Sequence, residues 1–198
     1  MNTKQRLIVG ITGASGIIYG VRLLELLRAP EIETHLVVSR AADITRAYEL
    51  SLSAQELRAL ATVSYRIGDI GAAIASGSFR TLGMVIAPCS VHTLAEIASG
   101  VTSNLLTRAA DVVLKERRRL VLLVRETPLH AIHLRNMLTV TEAGAIVMPP
   151  APAFYHRPQS IDEMVTNTVC RALDLLDIDS GILKRWGENI GISHTKSP

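Results

Sequence analysis

Arg125 and Glu126 stand side by side between an apolar run and Pro128. A carboxylate in such a place serves as general acid or base when its surroundings tune it; taken alone, the two read rather as a surface ion pair. Thr12-Gly13-Ala14-Ser15-Gly16 follows another apolar run, with glycines at 10, 13 and 16. Glycines let backbone N–H groups approach an anion, and a helix starting near Gly16 turns its positive end to the same place. The Ser15 hydroxyl can donate to a phosphate or relay a proton. The spacing is neither the dinucleotide fingerprint G-x-G-x-x-G nor a P-loop, which needs a Lys-Ser/Thr pair, and a plain tight turn fits it as well. Ser39 ends a further run where a dinucleotide-binding unit would carry an acid for the ribose; this argues against NAD and leaves a phosphorylated polyol such as FMN.

Ser90 and Thr93 lie three apart at a helix start, with Val91 and His92 between them. They offer a second anion or flavin-ring contact, or a helix cap alone. Cys89 sits at an apolar strand end with no activating base, so packing is its expected role. The Tyr155 phenol can bond a phosphate, and Phe154 can wall an apolar pocket. His130 and His133 have an i,i+3 spacing open to a metal, but no third ligand accompanies them, so no metal is expected. Arg108, Lys115, Arg125 and Arg171 would hold a second phosphate if the fold brings them together.

The elements that must position these residues alternate. Apolar runs at Leu7–Ile11, Thr34–Val38, Met84–Ala87, Leu120–Val124 and Ala145–Met148 are continuous, as parallel strands covered on both faces should be. Between them, Ile17, Val21, Leu24 and Leu27 keep one helical face. Ser53/Glu56 and Ser160/Glu163 have capping-box spacing. Leu105 to Arg117 and His130 to Glu142 read as further helices. The pattern predicts an α/β fold, a doubly wound parallel sheet with helices on both faces. Ligands of such sheets sit beyond the C-terminal strand ends, at a switch point, which is where the loops above fall.

The 198 residues suit one domain, expected over 1–187, with a mobile tail at 188–198. Aromatics are 4% of the chain, too few for a stacking surface on nucleic acid, and the net charge of +3 fits small anions equally well. Two cysteines make no disulfide framework and point to a reducing compartment. The N-terminus does not read as a signal peptide, and no stretch approaches the roughly 18 apolar residues of a membrane span. A cytoplasmic protein is expected, with neither nucleic acid nor membrane as partner.

Seven segments, in order, resemble the UbiX-type flavin prenyltransferases: TGASG at 12–16, ETHLVVSRAA at 33–42, SGSFRTLGMVIAPCS at 76–90, LLTRAADVVLKERR at 105–118, VRETPLHAIHLRNM at 124–137, PPAPAFYHRPQS at 149–160 and RWG at 185–187. The resemblance implies a Rossmann-like, flavodoxin-like domain that binds FMN, needs no metal and assembles into a homododecamer. It implies a reaction joining dimethylallyl phosphate to reduced FMN at N5 and C6. The product, prenylated FMN, is the cofactor of UbiD-type decarboxylases in ubiquinone biosynthesis or aromatic acid breakdown. FMN contacts carried over by motif are Gly13, Ala14, Ser15, Ser39, Ser90, Val91, His92, Thr93 and Arg125. Prenyl phosphate contacts are Tyr155 and Arg171, with Arg108 and Lys115 adding charge and Glu49 and Trp186 matching pocket positions. Glu126 matches the acid/base residue, with Ser15 a relay and Lys115 stabilising the leaving phosphate. Arg119 departs from the proline common at its position. Rival readings are a subunit of an aromatic hydroxy-acid decarboxylase and a non-enzymatic FMN carrier.

Overall fold

The apolar run from Arg6 to Ile11 forms β1, the centre of a six-stranded parallel sheet. The computed structural model describes residues 4–29, 32–183 and 185–188. β2 (Glu33–Val38), β3 (Val63–Tyr65), β4 (Gly83–Cys89), β5 (Arg119–Val124) and β6 (Ile146–Val147) complete the sheet in the order β3-β2-β1-β4-β5-β6. The order reverses direction between β1 and β4, so the crevice of a doubly wound sheet opens above those two strands. The expected strands are all present. β3, which continuous apolarity does not signal, is a three-residue edge strand whose side chains alternate between partly buried and exposed.

β1 shows why both faces are apolar. Leu7, Val9 and Ile11 pack with α1 (Ile17–Leu26) and α7 (Ile161–Asp174), while Ile8 faces the other way with Met84 and Ile86. That second face is covered by α4 (Val91–Ala98), α5 (Leu105–Lys115) and α6 (Ala131–Glu142). Period-two side-chain alternation thus feeds two cores from one continuous apolar run.

Local signals set the helix starts. In α3 (Ala54–Ala59) the Ser53 hydroxyl accepts from Glu56 N–H, and the Glu56 carboxylate accepts from Ser53 N–H at 2.7 Å, a complete capping box. At α7, Ser160 caps Glu163 N–H, but the Glu163 carboxylate turns one residue further back, to Gln159 N–H. The helix predicted to Arg117 stops at Lys115, because Arg117 adopts left-handed backbone (φ 57°) and turns the chain into β5. A further helix, α2 (Arg40–Glu49), starts at Ser39, whose hydroxyl accepts from Ala42 N–H at 3.1 Å.

All of the tail expected at 188–198 except Glu188 lies outside the described residues.

Candidate functional site

A cavity of about 730 Å³ lies over the switch point. Its wall is built from the loops after β1, β2, β4 and β5, with the start of α5 and the Ile67–Gly68 turn after β3 closing the sides. Gly13, Ala14, Ser15, Ser39, Ser90 through Thr93, Arg125 and Glu126 all line it. The tertiary structure therefore gathers, from four separate loops, every FMN contact that the resemblance implies, together with the expected acid/base residue.

Hydrogen bonds across the switch point fix the two central loops. Thr12 is buried, and its hydroxyl donates to the Pro88 carbonyl at 2.9 Å while accepting Ser90 N–H at 2.7 Å. Ser90 then caps α4, its hydroxyl accepting Thr93 N–H at 3.3 Å and donating to the Thr93 hydroxyl at 3.2 Å. Arg125 is tied to the same loop through its N–H, which donates to the Cys89 carbonyl at 3.0 Å. The Cys89 thiol is fully buried, which pushes its pKa up to about 12 and keeps it protonated and inert, as expected of a packing residue.

Gly13 has a steric reason. A Cβ there would lie 2.3 Å from the Ala41 Cβ and 3.0 Å from its carbonyl carbon. The absent side chain lets the first loop lie directly against the start of α2, bringing Ser39 and Ser15 into one wall.

The start of α1 differs from expectation. The N–H of Gly16 donates to both Glu49 carboxylate oxygens at 3.0 Å, and Ile17 N–H donates to one of them at 2.9 Å. Glu49, the last residue of α2, thus occupies the positive end of α1 that the sequence assigned to a phosphate. Glu49 itself does not line the cavity. A distant carboxylate leaves no signal near the glycines, so only the fold reveals this cap.

Within one chain the remaining cations do not converge on the cavity. Lys115 is at the far end of α5 from the cavity, paired with Glu116. Arg108, on the same helix, bonds Asp111 at 2.7 Å. Arg171 is ion-paired with Asp174, which also binds Arg185. Tyr155 sits in a short 3₁₀ turn, Phe154–His156, its ring against that of His156 and edge-on to Trp186 at 5.5 Å. Tyr155 and Trp186 are substantially exposed. The His130 and His133 rings are stacked, and the His130 Nδ1 accepts Ile132 N–H. Among the described residues no group of three His, Cys, Asp or Glu side chains is arranged to hold a metal.

Sequence reasoning missed Asn104, which lines the cavity and caps α5 by accepting from Leu106 and Thr107 N–H. Its signal was present: an Asn directly before an amphipathic run is a helix-start residue. Arg40, which stands beside Ser39 in the loop after the second apolar run but was given no role of its own, also lines the cavity as the first residue of α2. Burial raises the Tyr19 phenol pKa above its ordinary value, and the charge of the nearby exposed Arg125 offsets only part of that rise.

A doubly wound parallel sheet with a roomy crevice of mixed polar and apolar lining at its switch point is a nucleotide-cofactor fold, and 730 Å³ lies within the range of about 300–1,000 Å³ typical of small-molecule sites. The sequence profile of the family described as Flavoprotein matches residues 1–180. Flavin prenyltransferase UbiX of Neisseria meningitidis serogroup B is 58% identical over 182 residues, covering 92% of this chain and 96% of that protein. The crystal structure of AnUbiX in complex with FMN and dimethylallyl pyrophosphate has a TM-score of 0.91 at 50% identity, covering 92% of this chain and 97% of that one. A dodecameric FMN-dependent UbiX-like decarboxylase from Escherichia coli O157:H7 has a TM-score of 0.89 at 49% identity, covering 92% of this chain and 99% of that one. The chain belongs to the flavoprotein family and, within it, to the UbiX-type flavin prenyltransferases.

Proposed function

We propose that this chain transfers the prenyl group of dimethylallyl phosphate to N5 and C6 of reduced FMN, making prenylated FMN for a UbiD-type decarboxylase. The observation that carries the reading is the convergence of Ser15, Ser90, Arg125 and Glu126 on one cavity, in a chain so similar to flavin prenyltransferases. The cavity's size and its mixture of hydroxyls, backbone N–H groups and guanidinium suit a phosphorylated flavin. Gly13 through Ser15, Ser39 and Ser90 through Thr93 would hold it, with Arg125 at the chemical end. Reduced FMN supplies the two nucleophilic ring positions when bound.

Glu126 carries the proton traffic in this reading. One proton must reach the prenyl alkene and one must leave the flavin ring, and an exposed carboxylate on the cavity wall can do both. Ser15, which lines the same cavity, would act as a relay. The leaving phosphate departs with the electron pair of the broken carbon–oxygen bond, so it needs cations. Arg171 and the Tyr155 hydroxyl would bind it, with Arg108 and Lys115 stabilising the charge.

Because Arg108, Lys115, Tyr155 and Arg171 do not line their own chain's cavity, we place them against the cavity of a neighbouring copy in a homododecamer. A dodecameric relative and the exposed Ile132, Leu134 and Leu138 of α6 support that assembly. No helix among the described residues is long and apolar enough to cross a membrane. Two buried free thiols, Cys89 and Cys170, support the cytoplasm.

The test is an anaerobic incubation of the purified protein with reduced FMN and dimethylallyl phosphate, followed by mass spectrometry of the flavin. A flavin heavier by one five-carbon prenyl unit is expected. An unmodified flavin that still binds tightly would overturn the transferase and leave a carrier or a decarboxylase subunit.

A further inference from the structure

Asp174 is the last residue of α7, and a carboxylate is an unfavourable choice there, because the C-terminal end of a helix carries partial negative charge. Two guanidiniums offset that cost. One Asp174 oxygen accepts from Arg171, a helical turn earlier, and the other accepts from Arg185 at 2.5 Å. The Asp174 side chain is shielded, 20% exposed, whereas those of Arg171 and Arg185 are 55% and 38% exposed. The Arg185 guanidinium, with Arg171 beside it, holds the Asp174 carboxyl below the ordinary carboxylate range, so it is ionised at neutral pH. An isolated ion pair on a helix surface contributes little. A single carboxylate shared between a helix and a later segment fixes one against the other.

That later segment carries an aromatic ring. Arg185 is followed at once by Trp186, whose ring stands edge-on to the Tyr155 ring with centroids 5.5 Å apart. Tyr155 lies in the short turn Phe154–His156, before α7 begins. A run of contacts therefore leads from Arg171 to Asp174, on to Arg185 and its neighbour Trp186, and back to Tyr155. Its two ends are the residues that would bind the prenyl phosphate. Two guanidiniums against one carboxylate leave the group net positive. Arg171 offers one nitrogen to Asp174, and its remaining N–H donors can still reach a phosphate oxygen.

We propose that Asp174 is a positioning residue of the prenyl phosphate site: it aims Arg171 at the phosphate and, through Arg185, latches the segment carrying Trp186 against Tyr155. The proposal rests on the prenyltransferase reading above. Asp174 touches neither substrate nor flavin in this assignment; it acts by holding the groups that do.

Prenylation of reduced FMN is followed anaerobically over a range of dimethylallyl phosphate concentrations. The fluorescence anisotropy of Trp186, the only tryptophan in the chain, is read in the FMN-loaded protein before substrate is added. Asp174→Asn keeps the size but removes the charge and leaves one acceptor oxygen for two guanidiniums. It should raise the KM for dimethylallyl phosphate about 10-fold, leave kcat within about twofold and lower the Trp186 anisotropy, with FMN affinity unchanged. Asp174→Glu should restore part of each change. Arg185→Met leaves the pair between Arg171 and Asp174 in place; it should lower the anisotropy and raise the KM in the same direction. A lowered KM in Asp174→Asn would show that the carboxylate competes with the phosphate for Arg171, and would overturn the proposal. So would an unchanged KM, or a raised KM with the Trp186 anisotropy unmoved in both variants. If the unaltered protein prenylates no flavin, the transferase reading falls and this assignment with it; an active unaltered protein whose KM responds to neither variant overturns this assignment alone.

Discussion

The buried Thr12 hydroxyl accepts the Ser90 N–H at 2.7 Å, joining the loops after β1 and β4 across the point where the sheet changes direction. Replacing Thr12 with valine keeps the shape and strands the Ser90 N–H, while the Pro88 carbonyl keeps only the backbone N–H of residue 12 at 3.2 Å. A buried unsatisfied donor costs about 1–3 kcal/mol. The melting temperature should therefore fall by roughly 2–10 °C, and FMN affinity should fall with it because Ser90 loses its anchor. Thr12→Ser retains both hydrogen bonds and should fall less. Calorimetry on the two variants measures the difference.

Gly13→Ala should be worse for binding than for the rest of the fold. The new methyl group meets Ala41 backbone as well as its side chain, and backbone cannot swing aside. Overpacking of this kind costs about 1–3 kcal/mol. Since the strain falls between the Ser15 loop and the Ser39 helix start, flavin titration should show a loss of affinity at temperatures where circular dichroism still reports native helix.

Glu49→Ala uncovers the N–H groups of Gly16 and Ile17. Loss of such a cap should destabilise by about 1 kcal/mol. The uncovered helix end should now respond to anions, so added sulfate should raise the melting temperature of the variant more than that of the unaltered protein. An identical sulfate response in both would show that the carboxylate does not guard this helix.

Glu126→Gln preserves size and removes the proton. Turnover of dimethylallyl phosphate should fall about 100- to 10,000-fold, the usual range for a lost general acid or base, with FMN affinity unchanged. Full turnover would remove Glu126 from the proton path. Tyr155→Phe should raise the KM for dimethylallyl phosphate while flavin binding stays constant.

His35 should make stability pH-dependent. It is buried on β2, with Nδ1 2.9 Å from the Tyr65 hydroxyl and Nε2 2.9 Å from the Glu33 carboxylate. Burial holds its pKa below the ordinary histidine value; Glu33 pulls the other way without overcoming it. In mild acid the unfolded chain therefore binds more protons than the folded one. The stabilisation is complete above about pH 6.5, the unfolded value, and is lost as pH falls towards the lower folded value. Melting temperatures measured from pH 8 to pH 5 should decline on the acid side, and His35→Gln should decline less steeply.

Much of this molecule was decided locally and so could be read from the chain. Continuous apolar runs, glycines after the first, and Ser or Asn before amphipathic stretches specify strands, a tight turn and helix starts, because propensity and capping act within a few residues. A resemblance spread over seven segments added the family and the order of its motifs. Distance in sequence hid the rest. Nothing near Gly16 announces that Glu49 will close its helix. Nothing near Ser39 announces that Ala41 will press on Gly13. β3 was silent because three residues at a sheet edge take their structure from the neighbouring strand, and an alternation that short does not stand out in a sequence. The position of Lys115, away from the cavity its chemistry suggested, follows from the length of α5: at 1.5 Å per residue, a helix that begins on the cavity wall carries its last turn to the other end of the sheet, while Arg108, two residues after the cavity-lining Leu106, falls on the opposite side of the first turn. Sequence determined which groups this protein possesses and which elements carry them; only the packing of β1 against β4, and of α2 against the first loop, decided which of those groups meet.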